Sequence, residues 1–435
     1  MYFTSLQVLQ FVSKTVVPHK FCVLSKRKIV DSKARAVVTA PNFISLFSGA
    51  GGLDHGFERA GWKRLLASDI DKDAAATLRL NTKQADQMSI LEGDIREQNA
   101  TDLLARAGGV SRGEITAIVG GPPCQSWSSA GHQLGMADDR GRLFFDFIKL
   151  ANHLDPRFIV MENVRGLLTA RGPDGKPGSA LALIREDLRK EGWQTSVSVL
   201  NAADFGVPQR RVRLFIIAYR NGDNFRLPEP THSKSPEVGK RNWVSMRKCL
   251  SSIRTLSDDE IIRPTGKLAA DLVGIRPGSG VKSPGKAETT RPGGHWGYKQ
   301  GAFVADMSLP ARTVTASTAQ DWIIDAQRGL RRLCPRECAA IQTFPSKWKW
   351  SGGRASIYRQ IGNAVPPRLA EKIATALAAS ASTEVPRNKL NRVVELEPLA
   401  PELQGAIKYT MKEEARNGSS RRSAPTLRAK RAVNL

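Results

Sequence analysis

The stretch Glu114-Ile115-Thr116-Ala117-Ile118-Val119-Gly120-Gly121-Pro122-Pro123-Cys124-Gln125-Ser126-Trp127 runs from an apolar segment into a rigid turn. Glu114 to Val119 is short, apolar and rich in β-branched residues, the pattern of a buried strand. Gly-Pro-Pro ends it in a stiff loop, because proline fixes φ and donates no N–H. Cys124 follows at once. Open α/β sheets bind their ligands beyond the carboxyl ends of the strands, and a thiolate is a strong nucleophile, so Cys124 is a candidate nucleophile. The competing reading is a small buried thiol, and the flanking sequence has to decide.

Upstream, Asn42-Phe43-Ile44-Ser45-Leu46-Phe47 reads as a strand. Ser48-Gly49-Ala50-Gly51-Gly52-Leu53 follows as a glycine-rich turn, then a helix through Phe57 and Ala60. This arrangement lets backbone approach a nucleotide closely. The next strand, Arg64 to Ala67, ends at Asp69, about 20 residues after the glycines, where an acid commonly binds ribose hydroxyls. Gly93-Asp94-Ile95 closes the unit after that. Strand ends carrying Gly, Asp and Asp suggest an adenosine-type cofactor; the alternative is three unrelated loop residues.

Downstream, strand and helix keep alternating. Leu143 to Leu154 and Ala180 to Lys190 have helical spacing. Phe158-Ile159-Val160-Met161 is a buried strand ending at Glu162-Asn163-Val164, and Ser196 to Leu200 and Arg213 to Tyr219 are further strands. The expected fold is α/β, a parallel doubly wound sheet with an antiparallel edge near its end. From Asn221 to about Gly301 prolines, glycines and basic residues dominate, and Trp243, Trp296, Tyr298 and Phe303 argue that this loop-rich part keeps a core of its own. Helical signal returns at Pro335 to Gln342. Ile361-Gly362-Asn363-Ala364-Val365-Pro366-Pro367 then leads into a helix from Leu369 to Ala379. The expected division is a basic N-terminal extension over 1–41, a catalytic domain over 42–220, a smaller domain over 221–330, a return to the catalytic domain over 331–379, and a disordered basic tail over 380–435. The tail ends in Arg416, Arg421, Arg422, Arg428, Lys430 and Arg431, with no acid after Glu414.

With 435 residues the chain suits one large domain and a smaller one. Five cysteines make no disulfide framework, which points to a reducing compartment. Cys334 and Cys338 share helical spacing, but with no other Cys or His near them they read as ordinary thiols rather than a metal site. The 66 Lys and Arg exceed the 41 Asp and Glu by 25, so the expected partner is a polyanion, nucleic acid first. No stretch is apolar and long enough to span a bilayer, and Met1 to Val12 lacks the basic flank and cleavage site of a signal peptide.

Five of these motifs occur in order: Phe47-Ser48-Gly49-Ala50-Gly51-Gly52-Leu53, Gly121-Pro122-Pro123-Cys124-Gln125-Ser126, Glu162-Asn163-Val164, Gln209-Arg210-Arg211-Val212-Arg213 and Gly362-Asn363-Ala364-Val365. Together they resemble the DNA (cytosine-5)-methyltransferases, over about Asn42 to Ala379. The resemblance implies a Rossmann-like methyltransferase fold that uses S-adenosyl-L-methionine, with a smaller loop-rich target-recognition domain inserted before the last motif. It implies methyl transfer to carbon 5 of a flipped-out cytosine in a specific double-stranded DNA sequence. Cys124 matches the nucleophile, adding at carbon 6, and Glu162 the acid or hydrogen-bond donor at ring nitrogen 3. Arg211 and Arg213, alternating along a strand and so sharing a face, match arginines at the base carbonyl and the catalytic loop, while Gln209 and Arg210 look structural or DNA-facing.

For the cofactor, Phe47, Ala50 and Gly52 match the loop around the methionine portion. Asp69 matches the ribose ligand, Ile70 one adenine face, and Asp94 with Ile95 the adenine-binding pair. Gly121 and Pro123 would line the methionine side, with Leu143 and Asn363 closing the pocket. Asp69 stands where the family often has Glu, and Ile70 where some members carry Trp. Ser126 to Arg140 matches a loop that closes over DNA. The expected enzyme is a monomer in the cytoplasm, nucleoid-associated, either solitary or in a host that also holds a cognate restriction endonuclease. Competing readings are an RNA (tRNA) cytosine-5 methyltransferase, a catalytically inactive DNA-binding homologue, and a nicotinamide dehydrogenase with a similar turn. The last leaves Gly-Pro-Pro-Cys and Gln-Arg-Arg-Val-Arg unexplained.

Overall fold

The computed structural model describes residues 40–123, 139–220, 225–235, 237–253, 255–282, 301–381 and 394–417. Its main sheet contains β1 (Asn42–Leu46), β2 (Lys63–Asp69), β3 (Ile90–Glu92), β4 (Ala117–Gly120), β5 (Phe158–Val164), β6 (Gln194–Asn201) and β7 (Val212–Tyr219), in the order β3-β2-β1-β4-β5-β7-β6. The first five are parallel, and β7 runs antiparallel to both β5 and β6. The antiparallel strand is therefore one place in from the edge and not at it, as the sequence had suggested. Burial explains the order: β7 (Val-Arg-Leu-Phe-Ile-Ile-Ala-Tyr) is buried from Leu214 to Tyr219, whereas β6 keeps most residues half-exposed and takes the rim.

Side chains alternate across this sheet, and each face has its own core. Ile44, Ile118, Ile159, Met161, Leu214 and Ile216 point to one side. There they meet α3 (Ala100–Arg106), α4 (Asp139–Leu154) and α5 (Ser179–Lys190). Phe43, Val119, Val160, Phe215 and Ile217 point to the other, where α1 (Gly52–Arg59) packs. A further helix, α2 (Lys72–Leu80), is started by Asp71, whose carboxylate accepts the Asp73 and Ala74 N–H groups at 2.9 and 3.2 Å. Register aligns the strand ends: Leu46 lies beside Ser68 and Gly120, Gly120 beside Met161, and Asp69 beside Glu92. Five carboxyl ends thus form one edge.

After β7 come short elements: β8 (His232–Ser233), β9 (Arg241–Asn242), α6 (Met246–Leu250), α7 (Gly266–Leu272), β10 (Ser279–Gly280), β11 (Phe303–Val304), β12 (Trp322–Asp325) and β13 (Gly329–Arg332). Phe303 joins a core with Met246, Val314 and Ile323; Trp296 and Tyr298 lie outside the described residues. That core is completed by α8 (Pro335–Ile341) and α9 (Arg354–Asn363), and α10 (Pro367–Ala381) returns to α1. The return is close: a Cβ on Gly56 would lie 2.3 Å from Ala370 Cβ.

The expectation of a disordered tail from 380 is corrected over 394–417. Val394 is buried, and α11 (Pro401–Asn417) sets Leu403, Ala406 and Ile407 against the core beneath α5. Arg185 Nη2 also donates to the Glu397 carbonyl at 2.5 Å. Covering that apolar surface is what orders the segment. Among the described residues no helix is long and apolar enough to cross a membrane.

Candidate active site

At the end of β1 the chain turns through Phe47, Gly49 and Gly51 at φ 53°, 55° and 80°. Glycine takes such values without strain, whereas Phe47 takes one as a non-glycine residue. The turn is tied to the end of β2: Gly49 N–H donates to Asp69 Oδ2 at 2.7 Å, and Asp71 N–H to Oδ1 at 2.8 Å. Burial pushes the Asp69 carboxyl above the usual range against the pull of those two N–H groups. Beside it Ile70 is 63% exposed, a bare apolar face at the rim. Asp94 accepts from the Arg96 backbone at 2.9 Å and from its guanidinium, which holds the carboxyl below its ordinary value. Ile95 is buried in the core.

Ala50 is buried. Gly52 is needed for packing: a Cβ there would lie 2.3 Å from the Val365 carbonyl. The same approach carries Gly362-Asn363-Ala364-Val365 to the start of α1, with Asn363 exposed. Leu143, from α4, and Phe47 each pack at the margin of the core that holds Ile95. Behind the turn lies a set of groups that the sequence did not single out. Ser68 N–H donates to Ser48 Oγ (3.2 Å), Ser48 Oγ to Ser45 Oγ (2.8 Å), and Ser45 Oγ to Asp54 Oδ2 (3.0 Å). Asp54 is fully buried, which pushes its pKa up to about 6 against the pull of Arg64.

Glu162 was expected at a strand end, but β7 prolongs the ladder past it, pairing Glu162 with Phe215 and Val164 with Arg213. Its carboxyl is consequently buried, and Arg213 Nε lies 2.9 Å from Oε1. That contact is a charge contact: Oε1 has no aligned hydrogen-bond donor. Burial pushes the pKa of Glu162 up, opposed by Arg213 and then Arg211. A Cβ on Gly121 would lie 3.2 Å from Oε2, and Asn163 Nδ2 donates to the Pro122 carbonyl at 3.1 Å. The Gly-Pro-Pro turn is thereby fastened to the acid, with Pro123 half-exposed.

Strand alternation does not set the direction of Arg211 relative to Arg213. The strand begins at Val212, so Arg211 precedes it and follows no strand alternation. It is buried and donates to the Val314 and Gly362 carbonyls at 3.2 and 2.9 Å. Cys124 and residues 126–138 of the expected closing loop lie outside the described residues. The three described thiols are poor nucleophiles: burial pushes Cys249 up to about 11, Cys334 up to about 12 and Cys338 well above its ordinary value.

A family model for C-5 cytosine-specific DNA methylase matches residues 41–379. The chain belongs to the C-5 cytosine-specific DNA methylase family. This methylase is 32% identical to Type II methyltransferase M.NgoFVII of Neisseria gonorrhoeae over 346 residues, 78% of this chain and 86% of that protein. It is also 32% identical to Type II methyltransferase M.FnuDI of Fusobacterium nucleatum over 348 residues, 76% of this chain and 92% of that one. In structure it is similar to Entamoeba histolytica methyltransferase EhMeth, at TM-score 0.57 and 15% identity, covering 79% of this chain and 99% of that chain. The S. pombe Dnmt2 methyltransferase gives TM-score 0.56 at 17% identity, covering 79% and 100%. These two likenesses concern the fold.

The enzyme is thus a DNA (cytosine-5) methyltransferase, and family and fold imply S-adenosylmethionine as methyl donor and DNA as substrate. The methylase's own residues fit such a donor. Each Asp69 oxygen accepts one N–H and keeps acceptor capacity for a hydroxyl. Ile70 offers exposed apolar area beside it for a flat ring.

Proposed function

We propose that this methylase acts on a cytosine flipped out of double-stranded DNA, through a covalent bond between Cys124 and carbon 6. The observation that carries the reading is the buried Glu162, with Oε1 short of a donor and the Gly-Pro-Pro turn fastened beside it. A base inside a duplex is out of reach, so the target leaves the stack. The Cys124 thiolate adds to carbon 6, and the ring electron pair moves towards nitrogen 3. Glu162, whose pKa burial raises against the pull of Arg213, donates to that nitrogen, and Arg213 steadies the carboxyl as charge develops. Carbon 5, now an enamine carbon, would take the methyl as its bond to the sulfonium sulfur breaks and a neutral thioether leaves. Nitrogen 3 returns its proton to Glu162, and loss of the carbon 5 proton to water supplies the electron pair that re-forms the 5,6 double bond, breaks the Cys124 Sγ–carbon 6 bond and frees the thiolate.

When bound, S-adenosylmethionine supplies an electrophilic methyl on a sulfonium. Phe47, Ala50 and Gly52 form the turn around its methionine portion, with Gly121, Pro123, Leu143 and Asn363 on the far side. Asp69 takes the ribose, Ile70 an adenine face, and Asp94 with Ile95 the adenine edge. Arg211 serves as a positioning residue. The Type II names of the relatives support a specific duplex target and a cognate endonuclease in the host; the enzyme works as a monomer at the nucleoid, and residues 221–330 read the site.

The test is mechanism-based trapping. Duplex DNA with 5-fluorocytosine at the target should leave a covalent adduct on the Cys124 peptide, because fluorine does not leave as a proton. An adduct on Cys249, Cys334 or Cys338, or faster transfer to tRNA than to DNA, would overturn the reading.

A further inference from the structure

Gln209 and Gln342 are both fully buried, at 0% exposure, and the chemistry above uses neither. A buried primary amide is costly unless its donors and acceptor are paired. Gln342 Nε2 donates to the carbonyls of Ile361 (2.6 Å) and Ala364 (3.2 Å). Gln342 Oε1 accepts from Gln209 Nε2 at 2.7 Å, and Gln209 Oε1 accepts the Val314 N–H at 2.9 Å. Two carbonyls at one end and an N–H at the other fix the direction of both amides. Turning either over would set donor against donor and acceptor against acceptor.

Arg211 runs beside this chain, bonding Val314 and Gly362. A Cβ on Gly362 would lie 2.2 Å from the Thr315 carbonyl, so two backbones meet there without a side chain between them. Three segments are joined. One is 209–213, which leads to Arg213 and its contact with Glu162. The second is 311–316, from the region read above as recognising DNA. The third is 361–364, which holds Asn363 beside the cofactor turn through Gly52.

We propose that Gln342, acting with Gln209, is a positioning residue that locks the recognition segment 311–316 in register with the acid, its arginine and the cofactor turn. The proposal rests on the reading of Glu162 and of residues 221–330 given above. Loosening the joint should cost turnover more than affinity. DNA contacts on the recognition side and cofactor contacts at β1 and β2 survive, while their relative placement is lost, and small misplacements are expensive in rate.

The test uses full-length Gln342→Leu and Gln342→Glu, with a duplex carrying the site found by bisulfite sequencing. Leucine removes the Gln342 donor from the Ile361 and Ala364 carbonyls at every pH, leaving Ile361 only the longer bond from the Ala364 N–H at 3.3 Å. A glutamate at this position has nothing to donate until protonated, when one O–H replaces one lost bond. Single-turnover methylation should fall about tenfold or more in both variants near pH ~8, with dissociation constants for DNA and S-adenosylmethionine within about threefold of wild type. Relative to wild type at the same pH, the Glu variant should recover towards pH ~6 and the Leu variant should not. Should Gln342→Leu fail to fold, Gln209→Glu replaces it, since it keeps the acceptor for Val314 and lacks only the donor towards Gln342. Wild-type turnover in the variants, or lost DNA affinity at unchanged turnover, overturns the proposal. Amide exchange at Val314 separates it from the functional reading. Wild type that methylates nothing sinks that reading, whereas Val314 exchange unchanged in Gln342→Leu sinks the joint.

Discussion

Glu162→Gln should separate chemistry from cofactor binding. The substitution keeps the shape of the side chain and removes its titratable proton, and with it the charge of the ionised form. Losing a positioned acid costs about 10²-fold in rate or more, which is roughly 2.7 kcal/mol of barrier. The effect on the cofactor follows from the sheet. β5 is separated from β2 by β4 and β1, three strand steps of ~4.8 Å, or about 14 Å in all. A unit charge at that range acts with about 0.3 kcal/mol in water, under a twofold change in affinity, and salt reduces it further. Single-turnover methylation with saturating DNA gives the first quantity, and calorimetric titration with S-adenosylmethionine the second. An unchanged rate would remove Glu162 from the chemistry. A tenfold weaker cofactor with the saturated rate intact would make it a binding residue and refute the reasoning.

Cys124→Ser should abolish transfer while DNA and cofactor still bind, because a hydroxyl is a far weaker nucleophile at neutral pH; measurable turnover near wild type would end the covalent mechanism. Asp69→Ala should weaken S-adenosylmethionine by about tenfold and free the Gly49 N–H, while trapping by 5-fluorocytosine DNA at saturating donor survives; calorimetry showing unchanged affinity would remove Asp69 from the site. Asp54→Asn tests the buried carboxyl behind the turn. Its folded pKa of about 6 lies above the ordinary 3.8, so its contribution to stability is full below that ordinary value and is lost as pH rises through 6. At pH ~8 the ionised wild type should have forfeited about 3 kcal/mol. Melting temperatures of variant and wild type should therefore diverge in favour of the variant between pH ~4 and pH ~6 and stay apart above it, and parallel curves would show that Asp54 does not titrate there.

The parts of the site that were legible in the sequence are those written locally. Glycine and proline mark the ends of β1 and β4, an apolar run precedes each, and an acid stands at the end of β2. What was not legible depends on partners far along the chain. That β7 enters inside β6 is decided by which strand can be buried on both faces, a comparison the two segments do not reveal singly. Arg211 reads like Arg213 in sequence, yet the strand starts between them, and carbonyls 103 and 151 residues away take its donors. Gln342 gave a faint signal, a polar residue closing an apolar helical stretch. Residues 401–417 are charged enough to pass for a solvated tail until the uncovered core under α5 shows where Leu403 and Ile407 go.

On the proposed assignment of the site, the strand order also explains where donor and base would meet. The helices that follow β1 and β4 lie on opposite faces of the sheet, with Leu53 and Phe57 of α1 in one core and Phe144 and Phe147 of α4 in the other. A crevice opens where chain direction diverges in this way. Phe47 leaves β1 on one side of it and Gly121 leaves β4 on the other, from strand ends paired through Leu46 and Gly120. The residues assigned to the cofactor's nucleoside lie beyond β2 and β3, and those assigned to the base lie on β5 and β7, on the opposite side of the crevice. A methyl group delivered from the first set to the second crosses at that pair of strands, one strand spacing of ~4.8 Å. The Gly-Pro-Pro turn that leads to Cys124 starts from this point. A nucleophile carried by any other strand end would lie farther from one partner or the other.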